Sequence, residues 1–206
     1  MDTYRTVRQE ACGEYEVKRS RFLCYAAPVT TPEEATAFIA AIKQKHWDAR
    51  HNCSAYILRQ GGIKRFSDDG EPQGTAGMPI LDVLEKTGVT DVCVVITRYF
   101  GGILLGAGGL VRAYSHSATL ALETAEVITM VSCAECSLTC DYTLYGRIPA
   151  LLAEHDGVEA GTDFTDAVTV RFRLPEDRLD SFRTKLTEYS SGKCKVEVTG
   201  TGFYEL

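Results

Sequence analysis

The sequence predicts an α+β protein of two domains, and three observations carry that reading. Up to about residue 130, alternating β-type segments interleave with helical repeats. From residue 131 to 206 the segments follow the order β-α-β-β-α-β, which is the ferredoxin-like split pattern. The charge balance also changes along the chain: residues 1–132 carry a net charge of -1 and residues 133–206 a net charge of -5. At 206 residues the chain has room for two buried cores. The boundary is expected between Thr129 and Ser132, giving domains 1–130 and 131–206.

The elements are read in order. EYEVKRSRFLCYAAPV alternates on both sides of KRSR, so it is two strands or one bent strand. TPEEATAFIAAIKQKH opens with Thr31 as a cap, Pro32 in the first helical position and acids in the first turn, and predicts a helix to about His46. HNCSAYILRQ reads as a strand ending at Gly61-Gly62. IKRFSDDGEPQGTAG is too polar and too rich in turn residues for a regular element, and is expected to be a loop. MPILDVLEKTG is a helix stopped by Gly88. DVCVVITRYF has an apolar centre that belongs inside a sheet. From about Gly108 to Ala125, Leu110, Ala113, Tyr114, Ser117, Leu120 and Ala121 recur at helical spacing, with Arg112, His116, Thr119 and Glu123 on the opposite face. In the second domain SCAECSLTCDY is a strand, LYGRIPALLAEH a helix despite Pro149, VEAGTDFTDAVTVRFRLP a hairpin, EDRLDSFRTKLTEYS a helix and KCKVEVTGTGFY the last strand.

Composition narrows the function. Hydrophobic content of 45% and charged content of 24% are ordinary for a soluble globular protein. No apolar run approaches the roughly 20 residues needed to span a bilayer, so no membrane association is expected. The N-terminal stretch lacks the apolar core of a secretory signal, and Asp2 stands where myristoylation requires glycine. The expected location is the cytoplasm, where eight cysteines read as thiols rather than as a disulfide framework. In CAECSLTC, Cys136, Leu138 and Cys140 share one strand face and Cys133 takes the other; a zinc site would then need His155 or Cys194 from elsewhere. Buried thiols are the preferred reading, and neither metal nor cofactor is expected.

Three stretches carry chemistry. RYFGGILLGAGGLVRAY runs from a strand through Gly101, Gly102, Gly106, Gly108 and Gly109 into a helix. It lacks the Lys-Ser/Thr of a Walker A loop and the third glycine of a dinucleotide fingerprint. What is left is either an anion-ready helix start flanked by Arg98 and Arg112, or a corner that needs glycine for geometry alone. In SDDGEPQGTAGMP the acids Asp68, Asp69 and Glu71 surround a glycine; they could hold Mg²⁺ but fit more simply a rigid loop exposing acids, with Thr75 capping the next helix. In HNCSAY, His51 and Cys53 share a strand face, yet about 6–7 Å between such neighbours is long for a catalytic thiol–imidazole pair, so His51 is expected to tie the strand to a nearby loop. No catalytic residue is assigned.

HNCSAY, SDDGEPQGTAGMP and RYFGGILLGAGGLVRAYS, in this order and spacing, resemble the signature of the YigZ/IMPACT family, and the resemblance covers essentially the whole chain. It implies an N-terminal ribosomal S5 domain 2-like domain and a C-terminal domain similar to one of elongation factor G, architectures found in proteins that contact RNA. The family's eukaryotic members are linked to translational control through a partner and kinase that are themselves eukaryotic. The expectation is therefore a non-catalytic RNA- or ribosome-associated protein that modulates translation. Its contact face would gather Lys18, Arg21, Lys64, Arg65, Arg98 and Arg112 around the glycine turn. Two alternatives stay open. One is an enzyme or binding protein for a phosphorylated small molecule, using the glycine turn and an acidic Mg²⁺ loop; the other is a protein–protein adaptor with the acidic second domain as docking surface. Fold alone does not choose among them, and the sequence does not give the oligomeric state.

Overall fold

The computed structural model describes residues 2–206. Contacts divide them into two compact units, Arg5–Ile128 and a second unit made of residues 2–4 with Thr129–Leu206. In the first unit the strands β2 (Ala11–Val17), β3 (Ser20–Pro28), β4 (His51–Leu58), β5 (Ile63–Ser67) and β6 (Val92–Tyr99) form one sheet in the order β2-β3-β6-β4-β5. Every adjacent pair is antiparallel. Helices α2 (Gly77–Thr87) and α3 (Ala107–Thr124) cover one face and α1 (Pro32–Lys45) the other.

The sheet's centre follows from the sequence of β6. Val92, Val94 and Ile96 point into the core under α2 and α3, and Cys93 and Val95 into the core under α1. All five are fully buried, which explains why this strand is a continuous apolar run rather than an alternating one. Thr31 caps α1 as its sequence predicts, accepting the Glu34 amide at 3.2 Å, while the Glu34 carboxylate reaches back to the Thr30 amide at 2.6 Å. Gly88, at φ 70°, ends α2.

Three elements differ from their sequence reading. Ile63–Ser67 is a strand at the sheet's edge, paired with β4. Four of its five side chains are exposed, so no alternation of burial marks it, and Lys64 and Arg65 supply the charges that protect an edge from further pairing. Thr3–Val7 is also a strand, β1, which pairs with β7 (Val127–Cys140), a partner distant in sequence. The predicted helix around Pro149 is two short helices, α4 (Tyr142–Tyr145) and α5 (Ile148–Ala153), with Pro149 in the first turn of α5 where it needs no amide.

The second unit continues through β8 (Val158–Phe164), β9 (Val168–Pro175), α6 (Leu179–Ser190) and β10 (Glu197–Tyr204). Its strands lie in the order β10-β7-β9-β8, all antiparallel, which is the ferredoxin-like arrangement. The protein is thus α+β with two antiparallel sheets. Cys136, Leu138, Cys140 and Cys194 pack in the core with Phe172 and Phe182, whereas Cys133 lies outside that cluster. Among the described residues no group of three or more His, Cys, Asp or Glu is placed to hold a metal ion, and no helix is long and apolar enough to cross a membrane.

Candidate functional site

The three sequence stretches converge in the first unit, but as a buried polar cluster rather than an open anion site. Arg98, on β6, points inward: its Nη1 donates to Glu71 Oε1 at 2.7 Å, and the two side chains are 7% and 3% exposed. The guanidinium lies between the rings of Phe22 and Phe100, each centred 5.6 Å away, and its Nη2 approaches Ser20 Oγ at 3.5 Å. Tyr114, fully buried on α3, donates to the same Glu71 oxygen at 2.8 Å. Burial pushes the Tyr114 hydroxyl far above the ordinary tyrosine range. The reading of Arg98 as a solvent-facing anion ligand is therefore corrected: a charge this deep needs a countercharge from the protein, and Glu71 provides it.

The acidic loop is likewise turned inward. Asp68 accepts amides from Gly74 at 2.8 Å, Ala76 at 3.1 Å and Gly77 at 2.8 Å, so its carboxylate serves as the cap of α2. Thr75, expected in that role, instead donates its hydroxyl back to the Pro72 carbonyl at 2.6 Å. Asp69, at φ 42°, takes Lys43 Nζ at 2.6 Å on one oxygen and the Asn52 amide at 2.7 Å on the other. With Glu71 held by Arg98 and Tyr114, all three carboxylates are spent on different internal partners. The expectation of a loop exposing acids fails, and so does the acidic Mg²⁺ loop of the small-molecule alternative, because the oxygens do not converge on a common point outside the protein.

His51 and Cys53 dock this loop on β4. His51 Nδ1 donates to the Asp69 carbonyl at 3.0 Å, and Cys53 Sγ donates to the Asp68 carbonyl at 2.9 Å. Each bonds a different carbonyl, so they form no thiol–imidazole pair. Burial pushes the Cys53 thiol up to about 12, which suits a packing role rather than a nucleophile.

The glycine turn divides in two. Gly101 is a matter of close approach: a Cβ there would sit 2.0 Å from the backbone carbon of Arg19, and its amide is already taken by Ser20 Oγ at 3.2 Å. Gly102 is exposed and Gly106, at φ 72°, precedes α3. No side chain caps the helix, whose first residues include exposed Gly108 and half-buried Gly109. Phe100, Ile103 and Leu104 beside it are 51%, 43% and 81% exposed.

The remaining cations fall into two groups. Arg21 pairs with Glu14 at 2.9 Å, Lys64 with Glu85 at 2.8 Å, and Arg65 donates to the Lys64 carbonyl at 2.9 Å, so these three are engaged on the surface. Lys64 and Arg65 sit on edge strand β5, separated from β3 by two strands and from β2 by three, which removes them from the glycine turn. Lys18 and Arg112, by contrast, line one groove. Arg19, next to Lys18 in the β2–β3 turn, is one of the basic residues of the KRSR stretch that the sequence places near these motifs, and its backbone lies against Gly101.

Comparison with known proteins bears on the same segments. Residues 18–122 match the Impact N-terminal domain, and residues 138–193 match a domain of unknown function, DUF1949. The chain is 38% identical over 198 residues to the IMPACT family member YvyE of Bacillus subtilis (strain 168), covering 96% of this chain and 91% of that protein. It is 38% identical over 184 residues to the IMPACT family member YigZ of Escherichia coli (strain K12), covering 88% and 90%. A solved structure described as the crystal structure of a hypothetical protein is similar at 35% identity and a TM-score of 0.61, covering 97% of this chain and 98% of that one. The buried cluster joins all three stretches that carry the family resemblance, and with these matches across both units the chain belongs to the IMPACT family.

Proposed function

We propose that this chain is a non-catalytic RNA- or ribosome-associated protein that modulates translation. The observation that supports the reading is a patch of uncompensated positive charge at the start of α3. Among the described residues Lys18, Arg19 and Arg112 have no carboxylate partner, whereas Arg21, Lys64 and Arg98 each have one. The patch adjoins a helix N-terminus that no side chain caps, and like charges there repel both one another and the helix dipole. In a chain of net charge -6 this local excess is complementary to a polyanion. Exposed Phe100, Ile103 and Leu104 beside the patch add apolar surface for a base or a protein side chain.

The test is co-sedimentation with ribosomes at low and moderate salt. Lys18→Glu with Arg112→Glu is expected to abolish it, and the wild-type interaction is expected to weaken steeply with salt. Co-sedimentation that survives the double substitution removes this face from the proposal.

A further inference from the structure

Resting on that reading, we infer that the groove between the β2–β3 hairpin and the first turns of α3 is a binding site for a single nucleotide unit, a nucleoside monophosphate either free or as one unpaired residue of a strand. The groove encloses about 320 Å³, near the lower end of the roughly 300–1,000 Å³ typical of small-ligand sites. It can take one nucleotide but not a duplex. Its lining is divided by chemistry: Tyr15, Val17 and Leu105 form an apolar floor continuous with the core, and Lys18, Arg112 and His116 form a basic rim. No carboxylate lines it. An apolar floor under a rim of one charge sign fits a ligand with a flat, weakly polar body and an anionic end.

Two further features support this. The Tyr15 ring is already held in place, 6.1 Å from the ring of buried Phe22 and edge-on to His116 at 4.4 Å, so little side-chain freedom is lost on binding. The Arg112 Nη1 lies 4.0 Å from the position a Cβ would take on Gly108, which places a guanidinium over the first turn of its own helix. A cation there opposes the helix dipole, and an added phosphate would relieve both charges at once.

The experiment is titration calorimetry on the full chain with AMP, GMP, CMP and UMP and with inorganic phosphate, beside fluorescence anisotropy with a labelled single-stranded RNA. Arg112→Ala and His116→Ala remove rim groups that are solvent-exposed, and Lys86→Ala removes one charge elsewhere on the same unit; thermal unfolding checks that each folds. A mononucleotide that binds, about tenfold more weakly after Arg112→Ala and unchanged after Lys86→Ala, supports a site for free nucleotide. RNA binding with the same dependence and no mononucleotide binding supports the strand as the source. Phosphate binding as tightly as any nucleotide overturns the inference, as does ligand binding indifferent to Arg112 and His116, or no binding by any probe. Ribosome co-sedimentation kept by both rim variants, with no nucleotide or RNA bound in the groove, sinks the groove while leaving the proposed function standing. Nucleotide binding in the groove without co-sedimentation of the wild type does the reverse.

Discussion

Arg98 and Glu71 form a buried ion pair at 2.7 Å, and it clamps the acidic loop onto the central strand of the first sheet. The same carboxylate oxygen holds Tyr114 of α3, so one side chain ties loop, strand and helix together. Breaking such a pair from one side leaves a desolvated charge. Glu71→Gln and Arg98→Ala are each expected to lower unfolding stability by about 3–5 kcal/mol. Denaturant unfolding checks this. Removal of both partners together is expected to fall well short of the two single losses added, the signature of direct coupling.

Gly101→Ala is expected to be as damaging for a steric reason. The added methyl would meet the carbon, at 2.0 Å, and oxygen, at 2.1 Å, of the Arg19 carbonyl group, and backbone cannot swing aside as a side chain can. A loss of about 3 kcal/mol is expected. Gly108→Ala, with only the Arg112 tip within reach at 4.0 Å, is expected to be close to neutral. The pair of substitutions, compared by thermal unfolding, separates the glycine needed for packing from the one at the helix start.

The pH response should centre on His46. Its Nε2 accepts from Tyr25 at 2.8 Å and its Nδ1 donates to Tyr99 at 3.0 Å, while Tyr99 donates to Asp48 at 2.9 Å. Burial, with Lys45 nearby, holds the imidazole below its ordinary value of 6.5. The unfolded chain therefore binds the proton more readily, so stability is full above 6.5 and falls as pH drops through the folded value. His46→Gln is expected to flatten that fall between neutral and mildly acidic pH, measured as the shift in the unfolding midpoint.

Thiol reactivity offers a separate check on burial. Cys12 is exposed, and the other seven cysteines are buried. Burial pushes Cys24 and Cys136 up to about 11 and Cys93 up to about 12. Alkylation of the native protein at mildly basic pH is expected to modify Cys12 alone in the fast phase, and Cys12→Ser should abolish that phase. A second fast-reacting thiol in the native state would contradict the packing of these cores.

Periodicity made most of the fold readable. The run from Val92 to Ile96 announced an internal strand, Thr31 and Pro32 announced the start of α1, and the segment order after residue 131 announced the ferredoxin-like sheet. Ile63–Ser67 escaped because an edge strand with exposed side chains has no pattern of burial to betray it. The site was legible only as a set of residues. His51, Asp68, Glu71, Arg98 and Tyr114 do meet, but sequence gives no direction to a charged side chain: Arg98 looked like a ligand for a foreign anion and found its carboxylate 27 positions away in the same chain. Lys18 and Arg112 have no such partner among the described residues, and the proposed contact face rests on them rather than on Arg98.

The β2–β3 turn places Lys18 and Arg19 at φ 46° and 62°, both in the left-handed region that lysine and arginine seldom adopt. Two-residue turns of this shape are most comfortable as Asn-Gly. Swapping in that pair should raise the melting temperature and at the same time strip two cations from the proposed contact face, yielding a sturdier protein that, on that proposal, is a poorer binder. Such a trade would mean that this corner has been held away from its most relaxed sequence by the charge it displays.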